Sequence, residues 1–376
     1  MNILVVYDCI YPESLGGVEH RNYCLAKALA ALGHKVTLAG WVREPESPCE
    51  GVTVLPMAFR TKLYDPAGKR TALTSLKFAL AALRLDLRDY DVVESANIPY
   101  LHLLPLTLLC AWRNKPLVVT WHEYFGPLWR DYKQGAGAAL FMAMEWFCAQ
   151  LGDAVSGVSA MTAGRLARHR LRKAPIPVSP NGVALARIRA VAPQPDAAAL
   201  LYAGRLMREK RLDLVLRALA ERDMPPLRLT IIGDGPDRAR LEALTRELNL
   251  AAQVRFLGRL PESDAMWRHL AAAQIAVQPS AREGFGMFAL EAMALGVPVL
   301  YCESPDNAMR DVVRDGMEGL CVAATPQAVA AGLRKLLQDP ELRLSLGRNA
   351  KARAEDYDWN SIARQIANLF VAARRD

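Results

Sequence analysis

The string Ser280-Ala-Arg-Glu283-Gly284-Phe285-Gly286, leading to Glu291 inside EAMALGVPV, has residue types suited to holding a ligand against backbone. An apolar strand pattern ends at Gln278, a glycine-flanked loop follows, and a helical pattern opens near Met287. Gly284 and Gly286 allow backbone N–H groups to approach a ligand closely, and the helix N-terminus behind them favours negative charge. Glu283 on the loop and Glu291 eight residues on can reach opposite ends of a ligand lying across the helix start. A second string, Tyr202-Ala-Gly204-Arg205-Leu-Met-Arg208-Glu209-Lys210, leaves a strand through glycine and sets cations at 205, 208 and 210 at the mouth of a helix. Cations there oppose the helix macrodipole, a conflict better tolerated when an anion binds. A guanidinium and an ammonium converging on a diphosphate is the corresponding use.

Together, G-R-x-x-x-E-K and the later E-G-F-G-x-x-x-x-E resemble the retaining nucleotide-sugar glycosyltransferases of family 4, which adopt the GT-B fold. The resemblance covers nearly the whole chain. Its other landmarks are Leu15-Gly16-Gly17-Val18-Glu19, Val119-Thr-Trp-His122-Glu, Pro180-Asn-Gly-Val183, Ile232-Gly-Asp-Gly-Pro236, Phe256-Leu-Gly-Arg259 and a closing helix with Trp359.

The resemblance implies roles residue by residue. Arg205 and Lys210 would neutralise the donor diphosphate, which is the leaving group. Glu283 would hold hydroxyls of the donor sugar, beside the backbone of Gly284, Phe285 and Gly286, and Glu291 would accept from the ribose hydroxyls. Leu257, Gly258 and Arg259 would border the base, with Gly233 and Gly235 shaping the same pocket. Gly16 and Gly17 would bring backbone amides to the phosphate side, and His122 would lie near the anomeric centre. The acceptor would attack on the leaving-group side, with the phosphate taking its proton, so no conventional base is required. The donor expected is a UDP-sugar, with a GDP-sugar next, and the acceptor a hydroxyl of a glycan, a lipid-linked intermediate or a small metabolite. One segment departs from the family: where a Gly-Gly-x-x-E element usually stands, the chain reads Glu303-Ser-Pro-Asp306-Asn307-Ala-Met-Arg310. Ligand contacts of that element do not carry over, which leaves the donor sugar open.

The elements that must position these residues follow a repeated rhythm of apolar run, glycine-bearing turn and amphipathic helix. Strands are expected at 3–7, 35–39, 91–94, 117–121 and 154–158, and again at 200–203, 227–232, 254–257, 275–278 and 297–301. Strands alternating with helices imply a parallel, helix-covered sheet. Two such halves give an α/β chain of two Rossmann-like doubly wound domains, 1–182 and 199–355, with a linker at 183–198; the resemblance makes the first the acceptor domain and the second the nucleotide-sugar domain. A crossover helix at 356–376 would return to the first domain, and the resemblance places the active site between the two.

Composition narrows the remaining classes. The chain has 376 residues, 52% hydrophobic and 23% charged, which excludes a disordered chain and a small disulfide scaffold. Seven cysteines without a C-x-x-C pair suit a reducing compartment. No spacing resembles a metal cage, so neither metal nor cofactor is expected. Met1 runs directly into a strand pattern rather than a leader, and the longest apolar run, Leu101 to Trp112, is too short to span a bilayer. Cytoplasm is therefore the expected location. The net charge of +8 is concentrated in 60–88 and 165–173. Interleaved with apolar residues, the first stretch suits an anionic membrane or an anionic acceptor, whereas nothing there resembles a nucleic-acid motif. Rival readings are a nucleotide-sugar epimerase, a sugar phosphorylase and a non-catalytic nucleotide-sugar sensor. A dinucleotide dehydrogenase ranks lower, because Leu15-Gly-Gly-Val lacks G-x-G-x-x-G spacing.

Overall fold

The computed structural model describes residues 1–13, 16–43, 45–57, 71–133, 135–195 and 198–374. The chain divides into two compact units, Met1–Gly182 with Trp359–Asp376, and Val183–Asp358.

The first unit is built on six parallel strands: β1 (Asn2–Cys9), β2 (Lys35–Trp41), β3 (Val52–Pro56), β4 (Val92–Ala96), β5 (Leu117–Trp121) and β6 (Ala154–Gly157), in the order β3-β2-β1-β4-β5-β6. β1, β4 and β5 are buried almost throughout; β1 and β5 accordingly read as near-continuous apolar runs, whereas β4 carries the buried Glu94 and Ser95. Helices 72–82, 103–112 and 136–148 cover one face of this sheet. Their inward residues Phe78, Leu106 and Cys148 join Leu4, Val93 and Val119 in a single core. Helix Gly17–Ala31 packs against helix Trp359–Ala372, the segment through which the chain returns to this unit. Local chemistry starts the helices where the sequence changes period. Thr71 and Ser159 each accept a backbone N–H three residues on, from Thr74 and Thr162.

The second unit repeats the plan with β7 (Leu200–Ala203), β8 (Leu229–Ile232), β9 (Val254–Gly258), β10 (Ile275–Gln278), β11 (Arg282–Glu283), β12 (Val299–Cys302), β13 (Asp306–Asn307) and β14 (Gly319–Val322). Six of these form a parallel sheet ordered β14-β12-β10-β7-β8-β9, and β11 pairs with β13 beside it. Both six-stranded sheets thus reverse direction after their third strand in sequence, the order of the doubly wound nucleotide-binding folds.

The span 183–198 differs from the linker expected there. It opens with helix Leu185–Arg189, whose Leu185 and Ile188 are buried, and it belongs to the second unit. The returning helix begins at Trp359 rather than 356, because Ala354–Tyr357 form a 3-10 turn of the second unit.

Candidate active site

In an open α/β sheet, ligands bind beyond the carboxyl ends of the strands at the point where the strand order reverses. In the second unit that point lies between β7 and β10. The loop leaving β7 carries Arg205 and Lys210, and the loop leaving β10 carries Ser280 to Gly286. The sheet topology therefore brings the two strongest strings of the sequence to one place.

The contact between them is direct. Lys210 Nζ lies 2.7 Å from Glu283 Oε1, with side chains 20% and 13% exposed. The same oxygen accepts from Gln278 Nε2 at 2.8 Å and Ser280 Oγ at 2.9 Å. Burial pushes the Glu283 carboxyl up, but the Lys210 ammonium and these donors outweigh it and hold the group below its ordinary value. The Ala281 N–H donates to the Glu209 carbonyl at 2.8 Å, tying the two loops through backbone as well. Arg205 is exposed on the β7 loop, while Arg208 points to Asp237 at 3.9 Å.

The glycines in these loops permit close backbone approach. A Cβ at Gly233 would stand 2.0 Å from the Gly204 carbonyl oxygen, and one at Gly235 2.2 Å from that of Leu206. Gly233 N–H donates to the Gly258 carbonyl at 2.7 Å, and Leu206 N–H to that of Asp234 at 3.0 Å. The loops after β7, β8 and β9 are therefore laced together, with Leu257 half-buried and Arg259 exposed at the end of β9. Gly286, at φ +102°, precedes helix Met287–Leu295 with Met309 against it, and Gly284 is half-buried. The Phe285 ring is buried and meets Tyr357 edge-on at 6.0 Å. Only its backbone is suited to ligand contact.

Glu291 accepts from the Trp267 indole at 2.9 Å. Desolvation pushes its carboxyl up to about 7 against the pull of that hydrogen bond. Sequence reasoning missed Trp267, Gln278 and Asn307. Asn307 is buried, donates to the Ser280 carbonyl at 2.8 Å and accepts from Met309 N–H at 2.9 Å. Through it the departing segment 303–310 lies along the Glu283 loop, where β13 pairs with β11. Only the polar residue types around Asn307 could have signalled this, since nothing in their spacing points back to residue 280.

The first unit holds Gly16, Gly17 and His122; the other candidate residues all belong to the second. Its strand order reverses between β1 and β4. Helix Gly17–Ala31 begins just beyond β1, and Ser14 and Leu15 lie outside the described residues. A Cβ on Gly16 would strike the Glu19 carboxylate at 2.2 Å, whereas Gly17 faces open space. His122 follows β5. Its N–H donates to Asn97 Oδ1 at 3.1 Å, while Asn97 Nδ2 donates to the Glu123 carbonyl at 3.3 Å. Burial, reinforced by the nearby Arg21 guanidinium, pushes the imidazole down to about 3, so it is neutral at physiological pH. Its Nε2 is buried without a hydrogen-bond partner. The next turn is fixed by Glu145, a second residue the sequence did not single out. Its two oxygens accept from the Phe125 and Gly126 amides at 2.9 and 2.6 Å.

Among the described residues no three His, Cys, Asp or Glu side chains gather as metal ligands would. The expected basic stretch at 60–88 lies partly outside the described residues, which resume at 71.

Two family models divide the chain as its units do: Glycosyltransferase Family 4 over residues 15–187 and Glycosyl transferases group 1 over 187–353. A glycogen synthase of Mycobacterium tuberculosis is 29% identical over 401 residues, covering 100% of this chain and 95% of that protein. A sucrose-phosphate synthase structure from Thermosynechococcus elongatus superposes with a TM-score of 0.81 at 22% identity, covering 99% of this chain and 98% of that one. A structure of Anabaena Alr3699/HepE in complex with UDP-glucose does so with a TM-score of 0.75 at 18% identity, covering 99% and 100%. Consecutive matches across both units, on two sheets whose reversal points carry the motif residues, make this chain a GT-B glycosyltransferase of family 4.

Proposed function

We propose that the chain transfers a sugar from a UDP-sugar to a hydroxyl acceptor, with retention at the anomeric carbon and without a metal ion. The observation that carries this reading is the Lys210–Glu283 contact across the β7–β10 reversal point. A cation and an ionised carboxylate held side by side suit the two halves of a nucleotide-sugar, its diphosphate and its hydroxyl-rich sugar. That the HepE neighbour was solved with UDP-glucose supports uridine over guanine.

In this reading Lys210 and Arg205 face the diphosphate, together with the N-terminus of helix Met287–Leu295. Positive charge held there in advance stabilises the departing nucleoside diphosphate as the anomeric C–O bond breaks. The acceptor oxygen forms its bond to the same face of the sugar that the phosphate leaves, and its proton passes to the departing phosphate oxygen. Glu283 accepts from sugar hydroxyls rather than acting as nucleophile. His122, neutral and with Nε2 unpartnered, contributes a hydrogen bond near the anomeric carbon. Gly284, Phe285 and Gly286 offer backbone amides, Leu257 to Arg259 border the base, and Gly16 and Gly17 offer amides from the first unit.

Glu291 gives the reading a pH signature. Ribose hydroxyls donate to the ionised carboxylate and so favour it, which makes donor binding lower its proton affinity. Donor KM is therefore expected to rise as pH falls below about 7 and to level off above it. Glu291→Gln should raise KM and flatten that profile, and an equally steep profile in the variant removes Glu291 from the donor site.

The deciding experiment is a panel of UDP- and GDP-sugars, scored by thermal shift and by nucleotide release in EDTA. Stabilisation and slow hydrolysis with one UDP-sugar support the reading, and GDP-sugar preference overturns the uridine assignment. Binding without any hydrolysis or transfer favours a sensor, turnover of donor to an isomer an epimerase, and dependence on free phosphate a phosphorylase.

A further inference from the structure

The helix that supplies Glu145 is apolar everywhere else. Residues 136–148 read AGAALFMAMEWFC, and Glu145 is their one charged residue. The side chain is fully buried, and among the described residues no cation pairs with it. Four neutral donors surround it instead. Oε1 accepts from the Phe125 amide and, at 2.8 Å, from the Tyr100 hydroxyl. Oε2 accepts from the Gly126 amide and, at 3.1 Å, from the Trp129 indole. Burial still pushes the carboxyl up against those four bonds. A buried carboxylate without a counter-charge is costly, and an apolar side chain would spare the fold that cost. Departures of this kind are expected where function needs them.

Backbone geometry shows what the anion holds. Phe125 is right-handed helical, at φ −77° and ψ −48°, and Gly126 is left-handed, at φ +53°. Consecutive residues of those two hands turn their amides to one side and form a concave nest for an anion. Glu145 fills that nest from within the chain. It also reaches the loop after β4 through Tyr100, itself left-handed at φ +67°, a conformation that a bulky residue rarely adopts. The same β4 loop supplies Asn97, whose Oδ1 accepts the His122 amide. Tyr100 N–H in turn donates to the Asn97 carbonyl at 3.0 Å. His122 is thus bracketed. Asn97 fixes its own amide, and three residues on Glu145 grips both the turn and the loop that carries Asn97.

The geometry points to Glu145 as a positioning residue for sugar transfer. Its carboxylate sets the β4 and β5 loops against each other and so aims the His122 imidazole. Fully buried, it acts through that imidazole rather than on the reacting atoms. The inference rests on the reading of His122 as a hydrogen-bonding group near the anomeric carbon. The ionised side chain is required because each of its oxygens accepts from one nest amide. Glutamine has one oxygen and one NH2, so either orientation sets N–H against N–H and opens the nest.

The test has two arms, both on the full chain. In the first, the His122 ring signal is followed by histidine-selective NMR and assigned by its loss in His122→Ala. It should shift in Glu145→Gln, while the signal of His269, in the second unit, stays in place. In the second arm, UDP release from UDP-glucose is measured with water as acceptor. Glu145→Gln should lower kcat at least tenfold and change the UDP-glucose KM less than twofold. Glu145→Gln/His122→Ala should be no slower than His122→Ala alone, because the two act as one unit. Wild-type kcat or an unmoved His122 signal in Glu145→Gln overturns the proposal. So does a double variant whose loss is the product of the two single losses. If Glu145→Gln does not fold, the same criteria apply to Tyr100→Phe, which removes one donor and leaves the carboxylate in its nest. His122→Ala at wild-type kcat removes His122 from the reaction centre and the proposal with it. A wild type that leaves UDP-glucose uncleaved counts against the donor reading, and the NMR arm then decides the role of Glu145.

Discussion

Lys210→Ala is expected to lower turnover by about two to three decades, the effect of removing one positioned group that stabilises charge in the transition state. Two losses combine. The departing diphosphate loses a cation, and Glu283 loses the neighbour that offsets its burial. In the variant the Glu283 carboxyl rises toward neutrality and presents a proton where sugar hydroxyls should donate. Lys210→Arg restores the charge but not the compact ammonium that fits 2.7 Å from Oε1, so it should recover only part of the rate. The measurement is nucleotide release at saturating donor, with kcat followed from pH 6 to 9. A Lys210→Ala rate within threefold of wild type ends the diphosphate assignment. A lost rate with an unchanged kcat–pH curve would keep the diphosphate role and remove the coupling to Glu283.

The second large effect is on stability and lies in the first unit. Arg21 and Glu94 face each other at 3.5 Å with both side chains about 1% exposed. Burial pushes the Glu94 carboxyl up and the Arg21 guanidinium down, each against the attraction of the other and, for Glu94, a hydrogen bond from Thr120 Oγ1 at 2.9 Å. Breaking such a pair from one side leaves an uncompensated buried charge. Arg21→Met should therefore cost about 3–5 kcal/mol, whereas Arg21→Met/Glu94→Gln, which removes both charges, should recover most of it. The single variant has a definite pH sign. With Glu94 raised in the folded state, protonation relieves the penalty, so its deficit against wild type should shrink as pH falls. Hydrogen exchange of the β1, β4 and β5 amides reads this unit separately from the other. Equal protection in Arg21→Met and wild type would mean that the pair contributes nothing to the fold.

The parts of this architecture that the sequence displays are those buried on both sides. Leu117–Trp121, Leu200–Ala203 and Ile275–Gln278 occupy inner positions of their sheets and are apolar throughout or nearly so, and their bounds agree with the sequence reading. The strands it passes over, Val52–Pro56 and Gly319–Val322, are edge strands. One neighbour and partial exposure leave them without a continuous apolar run. The helix Leu185–Arg189 escaped because five residues are too few to show a period among alanines and arginines. At the site, the residues within each string were visible because they sit close in sequence. Trp267 lies 24 positions from Glu291 and Asn307 27 from Ser280, so both join only when the sheet has formed. Arg21 and Glu94 were invisible for the same reason, 73 positions apart, one on helix Gly17–Ala31 and the other on β4. The meaning of the glycines also changed. Gly233 and Gly235, expected to shape a nucleotide pocket, first of all let three loops cross.

That crossing divides the site into parts an engineer can and cannot vary. The loops after β7, β8 and β9 hold one another by backbone hydrogen bonds, with no side chain between the Gly204 carbonyl and Gly233. A library at Gly233 or Gly235 would chiefly return misfolded chains. The segment from Ser304 to Arg310 is fastened by the Ser304 and Asn307 side chains and by Ala308 and Met309, both fully buried. Randomising the exposed positions 303, 305 and 310, with those four anchors retained, is the rational first library for testing whether this segment governs the donor sugar.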